Sequence, residues 1–316
     1  MTRLPVVLDC DTGTDDAVAI LLAALHPGLD LLGVTTVWGN HDVRHTTDNS
    51  LRVLDLVGRG SVGVHPGRNE PVRPRIETLP SGRADLPPTL DLPAPVSTAG
   101  AEAVEWLLAT LRATTEPVAL VATGPLTNLA AALAADRSLT GAVVRVVVLG
   151  GTHRRAGVTE HAERNVWCDP EAAADVLSAP FRDLLLVTMD ATFSAPLTGA
   201  DAARLRAVGT PAAVAAADLV DARIDWYRRD PAMAAVGGAP LHDPLAVAAL
   251  VDPAPPGDGA CLRRGRAHRP AALRRHPVHR RAGRAPRPAR RGGARRTRPL
   301  PRPALRDARL LNVVSR

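Results

Sequence analysis

The sequence predicts an α/β fold, an open and mostly parallel β-sheet with helices on both faces. Short apolar, β-branched segments alternate with segments of helical spacing over about the first 250 of the 316 residues. Such alternation is expected where helices connect parallel strands. Apolar residues make up 46% of the chain, so a sizeable core can also be buried.

The predicted elements follow one another in the order strand, helix. Apolar and β-branched runs predict strands at residues 6–8, 29–37, 118–122, 143–149 and 184–189. Apolar residues spaced three or four apart predict helices at 17–25, 46–57, 102–111, 126–135, 170–177, 212–227 and 245–251. The proline- and glycine-rich residues 66–97 are expected to form a long loop. Ligands of such sheets bind at the carboxyl ends of the strands, so the functional residues are expected there.

Composition excludes several classes of protein. No apolar run approaches the length of a membrane span. The first residues lack the apolar segment of a signal peptide. Three cysteines, Cys10, Cys168 and Cys261, are too few and too scattered for a disulfide framework or a zinc site. We therefore expect a cytoplasmic protein without a membrane partner.

Charge divides the chain into two parts. Residues 1–260 hold 20 Arg and 31 Asp plus Glu, whereas residues 261–316 hold 19 Arg and one Asp, so the net charge of +7 combines −11 with +18. The apolar pattern ends near residue 254, and an Arg- and Pro-rich segment without apolar period cannot bury enough surface to order itself. We interpret residues 1–253 as a catalytic domain and 254–316 as a basic tail.

Four carboxylates lie within eight residues at the end of the first predicted strand, in the segment DCDTGTDD at 9–16. Asp15 and Asp16 could simply begin a helix, where acidic side chains favour the helix dipole, but this explains only two of the four. Packed carboxylates repel one another unless a cation neutralises them. Hard oxygen ligands in a flexible loop suit Ca²⁺ or Mg²⁺, so we expect a metal site here.

Further polar segments stand at predicted strand or helix ends: WGN at 38–40, TGPLTN at 123–128, ERN at 163–165, DPEA at 169–172 and HDP at 242–244. Each alone has an ordinary interpretation as a tight turn, a polar loop or a helix cap. The turn after residues 118–122 also exposes a strand-end carbonyl, which can bind a hard cation.

Together with the aspartate cluster, the order and spacing of these segments resemble the nucleoside hydrolase family, in its calcium-dependent inosine–uridine type. The likeness covers about residues 4–253. It implies a Rossmann-like sheet, a homodimer or homotetramer, and hydrolysis of the N-glycosidic bond of ribonucleosides to ribose and free base. Purine nucleosidase activity is among the expected activities, but the sequence does not indicate a preferred base.

The resemblance also implies roles for the acidic residues. Asp11, Asp16 and Asp243 would bind Ca²⁺ through their carboxylates, and Thr123 through its backbone carbonyl. Asp15 would be the general base on the calcium-bound water. This agrees with elementary chemistry, since calcium acidifies water less than zinc does and a nearby carboxylate base is therefore needed.

The remaining implied roles concern the substrate. Asn40 and Asn165 would hold the ribose hydroxyls, Glu163 would bind the 5′ side, and His242 would assist the leaving base. Acidic residues around the ribose would also stabilise positive charge that develops on the sugar.

The chain departs from the family pattern on the 5′ side of the expected substrate. Gly157 stands where many members have asparagine, Arg164 stands where an apolar residue is common, and residues 81–85 lack a common His-Gly pair. Recognition of the 5′ end and of the base is therefore open.

Two other functions fit parts of the sequence. The opening Asp9-x-Asp11 pattern also occurs in aspartate-nucleophile phosphatases, although the chain has no lysine and Asp15-Asp16 is foreign to that motif. The tail could bind nucleic acid non-specifically through its arginines, on an inactive truncated homologue. A reading-frame shift in high-GC coding DNA would also produce this tail, and composition favours that interpretation.

Overall fold

The computed structural model describes residues 3–74, 87–160, 162–252 and 261–264. Its central sheet has seven strands in the order β3-β2-β1-β4-β5-β6-β9. They are β1 (Leu4–Cys10), β2 (Leu29–Thr36), β3 (Gly63–Pro66), β4 (Val118–Ala122), β5 (Val143–Leu149), β6 (Leu184–Val187) and β9 (Cys261–Arg264). The first six are parallel and β9 is antiparallel to β6, which confirms the predicted α/β fold.

Helices connect the strands. They are α1 (Thr14–Leu25), α2 (Val43–Leu56), α3 (Ala103–Ala113), α4 (Thr127–Ala135), α5 (Arg164–Cys168), α6 (Pro170–Ser178), α7 (Met189–Phe193), α8 (Gly199–Val208), α9 (Pro211–Tyr227), α10 (Pro231–Val236) and α11 (His242–Val251), with a 3₁₀ turn at Arg137–Gly141. A two-stranded antiparallel ribbon, β7 (Leu197–Thr198) with β8 (Gly238–Ala239), brackets α8, α9 and α10. Within the part of the chain that is described, no helix is both long enough and apolar enough to cross a membrane.

Side chains of the inner strands alternate between two cores. In β1, Val6 and Leu8 pack in a core with α1, α9 and α11, whereas Val7 packs in a second core with α3, α4 and α6. This follows from the period of two along a strand, and both faces are apolar because helices cover both.

The strand order reverses between β1 and β4. Consecutive connections lead outward from β1 to β2 and β3 on one side, and from β4 to β5 and β6 on the other. Loops at the carboxyl ends of β1 and β4 therefore diverge and leave a crevice, the usual ligand site of such a sheet. The order 3-2-1-4-5-6 of the parallel strands is that of the Rossmann fold.

Several boundaries differ from those predicted. Helix α2 begins at Val43 rather than residue 46, because the Asp42 side chain caps it by accepting hydrogen bonds from the backbone N–H of Arg44 and His45. Helix α11 begins at His242 rather than 245, so the HDP segment is its first turn. Strand β3 has only four residues, of which the last was predicted to begin the long loop.

The tail departs from expectation at one point. Cys261–Arg264 forms strand β9 although we expected no packed element after residue 254, because strand pairing uses backbone groups and needs no apolar period. The rest of the 254–316 tail and the 81–85 loop lie outside the described residues.

Candidate active site

The acidic segment lies at the switch point of the sheet. Strand β1 ends at Cys10, and α1 begins four residues later, so that Asp15 and Asp16 are buried in its first turn. The N-terminus of α1 thus directs its dipole and free backbone N–H groups at these carboxylates. The backbone N–H of Gly13 donates to Asp16 Oδ2 at 3.0 Å, which closes the turn between strand and helix.

Asp15, Asp16 and Asp243 form one group. Each can offer a carboxylate oxygen within 4.8 Å of the others, and all three are buried. Burial, together with repulsion from Asp15, raises the pKa of Asp16 to about 6. Burial and the charges of Asp15 and Asp16 also raise the pKa of Asp243 well above its ordinary value. Asp243 comes from the first turn of α11, so the group joins two distant parts of the sequence.

Asp11 borders this group and is held by the WGN turn. The backbone N–H of Asn40 donates to Asp11 Oδ2 at 2.7 Å, and Asn40 Nδ2 approaches Asp16 Oδ2 at 3.3 Å. Burial and the charge of Asp16 raise the pKa of Asp11 well above its ordinary value. Gly39 has a φ of +154°, and a Cβ there would collide with the Asp11 carboxylate, so glycine is required at this position.

Thr123 follows the last residue of β4 and presents both its backbone and its side chain to the site. Its hydroxyl donates to Asp16 Oδ1 at 2.8 Å, and its carbonyl accepts from Asn165 Nδ2 at 2.6 Å. A carbonyl oxygen has two lone pairs, so this hydrogen bond leaves one lone pair available to a cation. Asn165 is buried in α5 and links the end of β4 to the loop after β5.

Glu163 accepts hydrogen bonds from the backbone of its own loop, whereas we expected it to bind the 5′ side of the substrate. Its Oε1 accepts from the backbone N–H of Asn165 at 2.9 Å, and its Oε2 accepts from that of Gly151 at 3.2 Å. Glu163 is the N-cap of α5, and burial raises its pKa to about 7. An added Cβ at Gly157 would lie 2.8 Å from the Glu163 Cα, so this loop conformation excludes the asparagine that many family members carry there.

His242 lies in a row of side chains on the α9 side of the site. Its Nε2 is 2.9 Å from the Tyr227 hydroxyl, and its Nδ1 is 2.7 Å from Thr192 Oγ1. The Phe193 ring is 5.7 Å from the imidazole ring, centroid to centroid. Both ring nitrogens are thus oriented by hydroxyl groups, each of which can accept or donate a hydrogen bond.

Asp9 does not belong to the group of clustered carboxylates. Its Oδ1 accepts from Thr35 Oγ1 at 2.6 Å and from Asn128 Nδ2 at 2.8 Å, and it thereby ties β1 to β2 and α4. Burial raises its pKa to about 6. One of the four acidic residues of the opening segment is therefore bound within the scaffold.

Two arginines complete the site, and the sequence analysis assigned a role to neither. Arg223 Nη2 forms an ion pair of 2.8 Å with Asp15 Oδ2. Arg164 Nη2 donates to the Gly39 carbonyl at 2.9 Å, and its charge acts on Asp11. The sequence does hold an indication that Arg223 lies on the buried face of α9. It follows the buried Val220 by three residues and precedes the buried Tyr227 by four.

The residues present fit a hard divalent cation. Asp11, Asp15, Asp16 and Asp243 are all buried, and among the residues that the structure describes two arginines, Arg164 and Arg223, balance part of the charge of these four carboxylates. Isolated buried charges are too costly to persist, so the group must either hold protons or bind a cation. Carboxylate and carbonyl oxygens without sulfur or imidazole in the set are the donors that Ca²⁺ and Mg²⁺ prefer.

Comparison with known proteins agrees with this geometry. The family model described as inosine-uridine preferring nucleoside hydrolase matches residues 6–282, beyond the residue 253 that we expected. The chain is 38% identical over 254 residues to the pyrimidine-specific ribonucleoside hydrolase RihA of Shewanella sp. (strain ANA-3), covering 79% of this chain and 78% of that protein. The RihA of Shewanella baltica (strain OS185) is 39% identical over 256 residues, covering 80% and 79%.

Solved structures show the same likeness. A purine-preferring ribonucleoside hydrolase from Gardnerella vaginalis is similar with a TM-score of 0.70 and 30% identity, over 79% of this chain and 80% of that one. A plant nucleoside hydrolase is similar with a TM-score of 0.67 and 30% identity, over 79% of both chains.

Proposed function

The chain belongs to the inosine-uridine preferring nucleoside hydrolase family, an enzyme class that hydrolyses ribonucleosides to ribose and free base, and we propose that it uses Ca²⁺ and Asp15 to do so. The observation that carries this proposal is the group of buried carboxylates Asp15, Asp16 and Asp243 at the switch point of the sheet. The phosphatase alternative is not favoured, because the family match spans most of the chain.

In this proposal, Asp11, Asp16 and Asp243 would hold the cation together with the backbone carbonyl of Thr123. A bound Ca²⁺ would supply positive charge that polarises a water molecule. Asp15 adjoins the ligands in the same buried group and accepts the proton of the attacking water. The carboxylates also stabilise positive charge that develops on the ribose as the glycosidic bond breaks.

The substrate is held on two sides. Asn40 and Asn165 bind the ribose hydroxyls, because both amides lie beside the proposed metal ligands. The Asn40 amide contacts Asp16, and the Asn165 amide contacts the Thr123 carbonyl. Glu163 shapes the 5′ side by fixing the loop after β5. His242, oriented by Tyr227 and Thr192, gives a proton to the departing base.

We propose pyrimidine ribonucleosides as the first substrates to test, because the RihA relatives at 38–39% identity are named as pyrimidine-specific. The purine nucleosidase activity that we expected is the second candidate, supported by the similarity to the purine-preferring Gardnerella vaginalis hydrolase.

A homodimer or homotetramer in the cytoplasm remains part of the proposal, and so does non-specific binding of nucleic acid through the basic tail. Light scattering after size exclusion measures the oligomeric state. Salt-dependent binding to a DNA duplex of arbitrary sequence tests the tail.

The decisive experiment compares uridine and inosine with their 2′-deoxy counterparts, with added Ca²⁺ and after removal of divalent cations. Losing the 2′-hydroxyl removes contacts made in the transition state, so turnover of the deoxynucleosides should fall sharply. Asp15→Asn should lower kcat by at least about 10²-fold through loss of the general base. Asp48→Asn, on α2, is the matched control and should retain activity. Comparable turnover of deoxynucleosides, or full activity of Asp15→Asn, would refute the proposal.

A further inference from the structure

Arg223 lies in the interior of the site. Its side chain is 12% exposed, and its ion pair with Asp15 is made through Nη2. Its Nε is buried without a hydrogen-bond partner. Because this atom is enclosed by the protein, any contact of Arg223 with a ligand must come from its Nη atoms.

Arg223 lies beside the two groups that would move protons in the reaction. Its Cζ lies 5.4 Å from the centroid of the Tyr227 ring, and the Tyr227 hydroxyl is 2.9 Å from His242 Nε2. The guanidinium is therefore bounded by Asp15, the proposed base on water, and by the Tyr227–His242 pair, the proposed proton donor to the leaving base.

We propose that Arg223 contacts the departing nucleobase and stabilises the negative charge that develops on it. This rests on the proposed function. When the C1′–N bond breaks, its electron pair stays on the base nitrogen. The water oxygen forms the new bond to C1′, its proton goes to Asp15, and His242 protonates the base. Arg223 keeps its own proton and donates a hydrogen bond to an acceptor of the base, such as a carbonyl next to the glycosidic nitrogen.

The chemistry of the side chain suits this role. A guanidinium stays protonated and presents donors in a fixed plane, so it offers positive charge and direction together. Placed in a water-excluded site, such a donor acts most strongly on charge that appears only in the transition state. The ion pair with Asp15 is made through Nη2, which leaves Nη1 outside it as a donor.

A simpler role would be to balance the charge of Asp15. The two roles differ in their dependence on the leaving group. Asp15 serves every substrate alike, so a residue that only positions Asp15 affects all substrates equally. A residue that stabilises the leaving base matters for uridine and inosine but little for 4-nitrophenyl riboside, whose leaving group is already a stable anion.

The test measures kcat/KM of the full-length, calcium-loaded protein for these three substrates. Arg223→Gln should lower kcat/KM for uridine and inosine by about 10²-fold, the size of a proton-transfer or charge-stabilising contribution, and for the nitrophenyl riboside by less than about fivefold. Arg223→Lys should recover part of the loss, because it keeps the charge without the planar donors. Inhibition by free uracil should weaken in Arg223→Gln, while inhibition by ribose should not change.

The matched control is Arg164→Gln. Arg164 is a second, partly buried arginine of the site, and its Nε also lacks a hydrogen-bond partner, but it contacts the WGN turn. Its loss should lower kcat/KM for all three substrates by the same factor. Thermal unfolding and calcium titration establish that each variant is folded, and Arg223→Lys replaces Arg223→Gln in the comparison should the latter fail to fold.

Equal losses of Arg223→Gln on the nucleosides and the nitrophenyl riboside would overturn the role of Arg223 alone. Absence of turnover of every riboside by the unmodified protein would overturn the proposed function, and the role of Arg223 with it.

Discussion

Lowering the pH should weaken calcium binding, because protons compete for the same carboxylates. Burial raises the pKa of Asp16 from 3.8 to about 6 in the metal-free protein. The proton is thus held more tightly than in an unfolded chain, and the competition grows as pH falls through 6 and disappears as pH rises above it. Calcium affinity should therefore fall as the pH is lowered.

The magnitude follows from this one group. With a pKa of about 6, Asp16 is about one tenth protonated at pH 7 and about nine tenths protonated at pH 5, so calcium affinity falls about tenfold, or about 1.4 kcal/mol. Burial also raises the pKa of Asp11 and of Asp243 well above the ordinary value, so their protons add to the competition.

Isothermal titration calorimetry of calcium into metal-stripped protein at pH 5 and pH 7 measures the effect. Asp9→Asn is the matched control, because burial also raises the pKa of Asp9 to about 6 although this residue binds Thr35 and Asn128 instead of the cluster. The control should keep the full pH effect, whereas Asp16→Asn should lose most calcium affinity at both values. Equal calcium affinity of the unmodified protein at pH 5 and pH 7 would refute the reasoning.

Three further predictions follow from single contacts. Gly39→Ala should weaken calcium binding and lower kcat at least about tenfold, because the added Cβ would displace the Asp11 carboxylate. Urea unfolding should show that the free energy of unfolding falls by about 1–3 kcal/mol. Unchanged calcium affinity would contradict this reasoning. Burial raises the pKa of Glu163 to about 7, so the folded protein keeps this proton at pH values where the unfolded chain has lost it. The free energy of unfolding should therefore fall by about 3 kcal/mol as pH rises from 4.5 to 7. Urea unfolding at both pH values should show this decrease in the unmodified protein and not in Glu163→Gln. His242→Ala should lower kcat/KM for uridine far more than for 4-nitrophenyl riboside, and equal losses would exclude a role in protonating the base.

The sequence predicted the parts of the fold that depend on long local patterns. Strands β1, β2, β4, β5 and β6 and the longer helices were found because their apolar periods extend over several residues. The short helices α5, α7 and α10 span too few residues to show a period. Strand β9 consists largely of arginine and leucine, and its pairing depends on the backbone of β6.

For the site, the aspartate segment could be interpreted from local sequence because three of its carboxylates lie within six residues of one another along the chain. Joining Asp243 to them required the family resemblance, since α11 lies more than 200 residues away. Neither the local sequence pattern nor the family resemblance identified Arg223. Its role depends on which face of α9 packs on α1, and that is a property of tertiary packing.

Charge balance connects these residues. Asp11, Asp15, Asp16 and Asp243 carry four negative charges when ionised, and Arg164 and Arg223 supply two positive charges close to them. For these six described side chains, one divalent cation balances the charge, whereas a monovalent ion leaves an uncompensated buried charge. The departure from the family pattern at Arg164 therefore places a positive charge beside the proposed metal site. Removing Arg164 should therefore lower the turnover of every riboside by the same factor, whereas the effect of removing Arg223 should depend on the leaving group.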